Sequence, residues 1–575
     1  MPSSNWETFV GDRLEQPPQA DIIAFTSDPR ADGLRLHSKN PETETLRQWE
    51  GLALAKGQTV FFVGAGLGYL VEKALHFECR VIWVESNALI LAAALNRCDY
   101  TPYKGQLHLL IPPLSRDALD TLLSGSAVEE LAVYVHRPTA NALKGSYTLI
   151  EQWIGRRSVN QATMARFDRE WARNLILNWS ILEEARPVAR LFARYAGQTA
   201  LICAAGPSLS DDLPAIALHR QRFFLIAVDT ALSVVCAAGM DPDLVVTVDP
   251  QLVNSYYLEG YKGNAIFVAD PATCNRSLRL VDSSRLFFFS SPLPLGRFFE
   301  SFLREEAGQV AYGGSVTTNA YDLALKMGFA TVVFSGLDLS FPETRVHARG
   351  AMLEERLNLK EERLFRREMH NRMQRRALPE RQLPGRNGTQ PTNDKMIVFY
   401  NWFTHRFALD QKRALLVSSQ ASALLMRGLD SVPLNDFLSD LPEVQKDSPP
   451  LSGPGLDRTR LHRRLQELQL EFDSLADLLS SALELLEKTK KITPALTAEL
   501  DRVDAQLQES RESLQLLGAA SQEAIMQSQN RMSGPDQALE QTEKLYRALL
   551  RSARSHHRWL SIYLKLSLRS VTERQ

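Results

Sequence analysis

Between residues 199 and 340 one pattern recurs: a short apolar run, a small or acidic residue at its end, then a stretch of helical periodicity. The runs are "TALICAA", "RFFLIAVD", "LVVTVDP", "AIFVAD", "RLFFFS" and "TVVFSGLDL". Segments this apolar need cover on both faces, and helices alternating with strands supply it, which predicts a parallel α/β sheet. Between the last two runs, "YGGSVTTNAYDLALKMG" predicts a glycine turn feeding a helix that Gly328 closes.

The chain of 575 residues is too long for one core. Residues 58–100 predict a β-α-β unit, with "QTVFFVGAGLGYLVEKAL" as strand, glycine turn and helix, and "CRVIWVES" as a second strand. Gly64, Gly66 and Gly68, with Glu85 further on, fit a dinucleotide or S-adenosylmethionine pocket, or a Rossmann-like domain that binds nothing. At the other end, Leu461, Leu465, Leu468, Phe472, Leu475, Leu479, Ala482 and Leu486 follow a 4-3 spacing. Leu496, Leu500, Val503, Leu507 and Leu514 follow the cap Thr493-Pro494, and "SGPD" at 533–536 starts another helix.

The fold class is therefore α/β with a helical tail. Its parts are a Rossmann-like N-terminal domain (1–160), a helical connector (161–198), a central parallel α/β domain (199–445), a linker (446–458) and a C-terminal α-helical bundle or coiled-coil hairpin (459–575).

Charge narrows the function. With 66 Lys and Arg against 67 Asp and Glu, nothing global argues for nucleic acid or an anionic membrane. The arginine-rich insertion 345–386 interleaves Glu354, Glu355, Glu361, Glu362 and Glu368, which suits a surface helix with i,i+4 pairs, or a lid over an anionic substrate. Five cysteines without metal-ligand spacing indicate a reducing compartment. The N-terminus has no signal-peptide pattern and no apolar run reaches the ~20 residues of a membrane span. A cytoplasmic protein is expected.

Candidate chemistry gathers at the strand ends. In "ALICAAGPSLSDD", Gly206 permits close approach, Pro207 fixes the turn, and Ser208 offers a hydroxyl and an N-cap to a helix whose N–H groups attract an anion. Asp229 with Thr230, Asp249, and Gly336 with Asp338 end other strands. Ligands of open α/β sheets bind outside those carboxyl ends. "GGSVTT" adds Gly313, Gly314, Ser315, Thr317 and Thr318.

These residues carry a family resemblance. "AGPSL", "AVDTAL", "VTVDP", "GGSVTTNAYDLALKMGFATVVFSGLDLSF" and "HARG" resemble the bacterial motility accessory factor family, as do "LHSKNPETETLRQW", "FFVGAGLGYL" and "TNDKMIVFYNWFTHR". The likeness runs from about residue 34 to 415, and the central part is also similar to bacterial sialyltransferases. The resemblance implies transfer of a nonulosonic acid, of pseudaminic or legionaminic type, from a CMP-activated donor to flagellin Ser or Thr. Gly206, Pro207 and Ser208 would then hold the nucleotide. Asp229, Thr230, Gly313, Gly314, Ser315 and Thr317 would line the donor pocket, with Gly336 and Asp338 at its floor. His347 is the candidate base or hydrogen-bond donor to the phosphate, and Asp249 the other candidate base or a metal contact. Val346 stands where relatives carry a threonine before the histidine.

No metal ligand set and no cofactor beyond the donor is expected, although Mg²⁺ stays open. The heptads leave a homo-oligomer open. Three rival readings remain. One is a pterin pyrophosphokinase-like diphosphotransferase, in which Asp229, Asp249 and Asp338 would hold Mg²⁺. Another is a non-catalytic flagellin-binding scaffold, and the last is methyl transfer at the N-terminal glycine turn.

Overall fold

The computed structural model describes residues 2–52, 54–123, 131–359, 361–363, 366–386, 388–410, 413–422, 424–444, 455–489, 493–518 and 535–572. Most of the linker 446–458 and the "SG" of "SGPD" lie outside them. The chain divides into two compact units, with the boundary after Arg166.

In the first unit, β1 (Thr59–Val63), β2 (Arg80–Val84), β3 (Leu107–Leu110) and β4 (Leu131–Val135) form a parallel sheet in the order β3-β2-β1-β4. Alternate residues of β1 serve opposite faces. Val60 and Phe62 join a core with Trp6, Phe9 and Trp83, while Phe61 and Val63 pack with Leu119, Leu143 and Trp153. That double burial explains why "TVFFV" carries no polar alternation.

The second unit holds a nine-stranded sheet. Its strands are β5 (Arg186–Pro187), β6 (Thr199–Cys203), β7 (Phe224–Val228), β8 (Leu244–Thr247), β9 (Ile266–Ala269), β10 (Leu286–Phe288), β11 (Thr331–Ser335), β12 (Leu415–Ser419) and β13 (Asp430–Val432). All pair in parallel, in the order β13-β12-β11-β6-β7-β8-β9-β10-β5. The six expected apolar runs are all strands. The two edge strands are short, and each meets a proline: Pro187 within β5, Pro433 directly after β13.

One face of the β8–β10 half of the sheet is covered by the helical region. Val245, Phe267 and Phe288 share a core with Trp179, Phe299, Leu461, Leu465, Leu468 and Tyr563. The heptad residues from Leu461 to Leu486 are buried along the helix Arg458–Lys488. That helix runs antiparallel to Pro535–Thr572, since Gln469 bonds Ser561 while Arg547 reaches Glu487 further along. Thr493 caps the helix Pro494–Glu509 through Leu496 N at 3.2 Å, and Gly328 closes Val316–Met327 in the left-handed conformation. Within the helix that ends at Leu182, Asn174 donates to Pro250 O and Ala272 O, and Asn178 to Pro271 O and Thr273 O. These amides fix the loops leaving β8 and β9.

Candidate active site

The chain enters the large sheet's centre at β6, proceeds through β7, β8, β9 and β10 on one side, then returns to β11 on the other. Connections from β6 and β11 leave in opposite directions, which opens a crevice beyond their carboxyl ends. The residues of "AAGPSLS" lie there, and their geometry is tight. Gly206 N donates to Gly336 O at 2.9 Å, and a Cβ on Gly206 would stand 2.3 Å from Asp338 Oδ2 and 2.4 Å from Gly336 O. Gly336 has φ +73°, and a Cβ there would meet Ala204 O at 2.2 Å. The two turns require glycine to approach each other.

Ser208 departs from its expected role. It sits ahead of the helix Leu209–Leu218 in helical conformation and its side chain caps nothing. Instead Ser208 N donates to Asp338 Oδ2 at 2.8 Å, so Asp338 supplies the anion that the turn's N–H attracts. Ser208 Oγ and Asp338 Oδ1 are sealed from solvent without a partner in full hydrogen-bond geometry, although the Ser208 and Ser422 hydroxyls lie close enough to draw the Asp338 pKa down. Burial pushes the Asp338 carboxyl up to about 6, against the pull of the Ser208 N–H. The next loop joins this turn: Ala348 N donates to Ala205 O at 2.9 Å, which brings His347 alongside, its Nδ1 also sealed and unpartnered. Burial, aided by the Lys395 charge, pushes the imidazole down to about 4, so His347 is neutral at physiological pH.

The other strand-end carboxylates serve different purposes. Asp229 is 1 % exposed and fully engaged: Oδ1 accepts from Thr230 N at 2.7 Å, and Oδ2 from Thr247 Oγ1 at 2.9 Å and Asn254 Nδ2 at 2.7 Å. Its environment is an internal polar network that continues through Asn254 Oδ1 to Ser277 Oγ at 2.6 Å. Asp249 is only partly covered. It accepts from Gln251 N at 2.8 Å, and burial raises its pKa while Lys395 opposes the rise. Among the described residues, no group of three His, Cys, Asp or Glu side chains is placed to hold a metal ion. Asp229, Asp249 and Asp338 therefore do not form a three-carboxylate cluster.

The 313–318 turn is organised by Thr318, whose Oγ1 accepts from Gly313 N at 3.0 Å and donates to Ser315 O at 2.6 Å. Gly314 has φ +88°, and a Cβ would fall 2.9 Å from the Phe399 ring. Thr317 is buried behind the turn, whereas Ser315 stays partly open. Sequence reading missed two residues here. Asp270, after β9, is buried and accepts from Tyr312 Oη at 2.6 Å; it was visible only as one more strand-end aspartate. Lys395 was quoted within a motif but given no role. The insertion accounts for its position: after the helices Met352–Asn358 and Arg367–Arg376, an antiparallel hairpin, Glu380–Gly385 with Gly388–Asn393, leads into the helix Asp394–Asp410. The first of those helices is held at the rim by Arg356, 3.7 Å from the Tyr256 ring centre and paired with Glu259.

The N-terminal glycine turn is filled from within. A Cβ on Gly64 would strike Thr139 Oγ1 at 2.1 Å, on Gly66 His37 Nε2 at 2.4 Å, and on Gly68 Tyr100 Oη at 2.4 Å. His37 Nε2 accepts from Leu67 N at 2.8 Å, taking a donor of the glycine loop for itself. Glu85 turns back on its own chain, accepting from Ser86 N and Asn87 N, and is 1 % exposed. Internal packing demands these glycines.

A solved structure, that of the MAf glycosyltransferase from Magnetospirillum magneticum AMB-1, is similar over 99% of this chain and 98% of that one. Its TM-score is 0.57 and its identity 14%. The chain has the fold of a MAf glycosyltransferase. Within that MAf fold, residues 173–344 match the family model "6-hydroxymethylpterin diphosphokinase MptE-like", the stretch running from the connector helix past Asp338. Two uncharacterized proteins of Treponema pallidum (strain Nichols) are 32% and 31% identical over 130 and 140 residues. Each match takes in 22% of this chain, and the chain spans 58% and 35% of those relatives' lengths. The family resemblance read from the motifs thus agrees with both the fold neighbour and the MptE-like segment.

Proposed function

We propose that this chain is a cytoplasmic protein O-glycosyltransferase that moves a nonulosonic acid from a CMP-activated donor to Ser or Thr of flagellin. The observation that carries the reading is the MAf fold along the whole chain, including the helical region that a small-molecule kinase has no use for. The crevice supports it. Gly206 and Gly336 let the ends of β6 and β11 approach each other, which sets Ser208, Asp338 and, through Ala348, His347 side by side there.

The chemistry asks for stabilisation of a leaving nucleotide and removal of a proton from the acceptor hydroxyl, through an oxocarbenium-like state. Neutral His347 can donate one N–H to the leaving phosphate or accept the hydroxyl proton. Asp249, partly open, is the alternative base. Asp229 shapes the pocket as a buried structural group, while Thr230, Gly313, Gly314 and Ser315 line it and Thr317 backs the turn.

A second reading, a pterin pyrophosphokinase-like diphosphotransferase, is favoured by the MptE-like match over 173–344. Calorimetry separates them. CMP binding without Mg²⁺, weakened by Ser208→Ala, supports the transferase. ATP binding that depends on Mg²⁺, with none for CMP, overturns it in favour of the diphosphotransferase.

A further inference from the structure

The hairpin that ends at Asn393 is fastened to the loop after Asp338. Thr392 Oγ1 donates to Leu339 O at 2.8 Å, and Phe341 N donates to Pro391 O at 2.8 Å. Asn393 Oδ1 then accepts from Met396 N at 3.0 Å and starts the next helix. One turn on, Phe399 lies against Gly314, and Lys395 Nζ stands 5.8 Å from the Phe399 ring centre. These contacts deliver Lys395 between the 313–315 turn and the loop carrying Asp338 and His347. Its charge is felt by both Asp249 and His347. It is exposed and makes no hydrogen bond or ion pair within 4 Å among the described residues.

A cation in that position would be gratuitous in a site that bound only neutral groups. Asp338 and Asp249 give the crevice negative charge, and an incoming phosphate must be offset against it. Ser208 Oγ and His347 Nδ1 are sealed from solvent, and neither carries positive charge. Lys395 is a flexible point charge able to follow a phosphate as its charge changes.

We propose that Lys395 binds the phosphate of the nucleotide-activated donor and stabilises it as it leaves. The inference rests on the transferase reading and adds to it the residue that pairs with the leaving group. The hairpin Glu380–Gly385 with Gly388–Asn393, which follows the helices of the insertion, sets where this ammonium sits.

The test is calorimetry on the full chain with two probes, CMP and cytidine, which differ only in the phosphate. Lys395→Met should weaken CMP binding about tenfold or more, the scale of one charge-assisted hydrogen bond, and leave cytidine unchanged. Lys395→Arg should recover most of the CMP affinity. Because the side chain is on the surface, an unchanged melting temperature verifies that the variant is folded. Equal losses for CMP and cytidine, or no loss for either, overturn the assignment while the transferase reading stands on wild-type CMP binding. Failure of the wild-type chain to bind CMP overturns both.

Discussion

The main-chain N–H of Ser208 donates to the carboxylate of Asp338 at 2.8 Å, across 130 positions of sequence. The bond ties the end of β6 to the end of β11 at the point where the connections diverge. It also leaves the Ser208 hydroxyl and one Asp338 oxygen without a partner in full hydrogen-bond geometry at that crevice.

Asp338→Ala should cost about 1–3 kcal/mol of stability, because the Ser208 N–H is left buried without an acceptor. Asp338→Asn keeps an acceptor and should cost less. Chemical denaturation of the three proteins checks the order. If Asn proves as damaging as Ala, the N–H bond is not what holds the two turns together.

Gly206→Ala places a methyl group 2.4 Å from main-chain Gly336 O, where no side-chain rotation relieves the overlap. The variant should lose about 1–3 kcal/mol and its nucleotide affinity together. In the first unit, Gly66→Ala meets His37 at φ +54° and should lower the melting temperature comparably. It should leave CMP affinity untouched. Because His37 fills that turn, neither S-adenosylmethionine nor a dinucleotide should raise the melting temperature of the wild-type chain.

Acid should loosen the helical region through His556. It is fully buried against Phe472 and Trp559, its Nε2 has no partner, and burial pushes it down to about 4. The folded state refuses a proton that the unfolded chain takes near 6.5. Its stabilising contribution is therefore complete above pH 6.5 and lost as pH falls toward 4. The loss is about 2 kcal/mol between pH 7 and 4.5. His556→Gln should flatten that part of the stability–pH curve by this amount. Asp229, Asp270 and Asp338, each pushed up to about 6, act with the opposite sign between pH 4 and 6. The comparison must therefore be variant against wild type at each pH.

Glu183 joins the connector helix to the C-terminal helices. It is 5 % exposed, accepts from Tyr563 Oη and from His462 Nε2 at 3.0 Å, and lies 3.7 Å from Arg458 Nε. Glu183→Ala strands these donors and should cost about 3 kcal/mol or more in denaturant unfolding. A cost below 1 kcal/mol would mean the apolar seam alone holds the helices.

The large sheet was legible because each of its six central strands lies in a largely apolar run ending in a small or acidic residue. The other three were not. Arg186–Pro187 and Asp430–Val432 are too short to leave a pattern, and Leu415–Ser419 follows the long helix Asp394–Asp410 in a stretch for which the sequence analysis names no element. Gly206, Ser208 and Asp338 stood out in sequence because glycine turns and strand-end carboxylates follow local rules. The actual work of Ser208 could not be read locally, since its partner is supplied by the neighbouring strand. Lys395 had no local signature at all: a lysine in the first turn of a helix looks like solvated surface until the hairpin before it is docked on Leu339 and Phe341.

The large sheet ends on both sides at a proline, Pro187 in β5 and Pro433 just past β13. Proline offers no N–H, and strands of two and three residues give an intruding chain little to pair with. Both edges therefore disfavour lengthening of this sheet by strand addition from a neighbouring copy. Self-association that leaves this sheet alone can be tuned by substitution without touching the layer that carries the crevice.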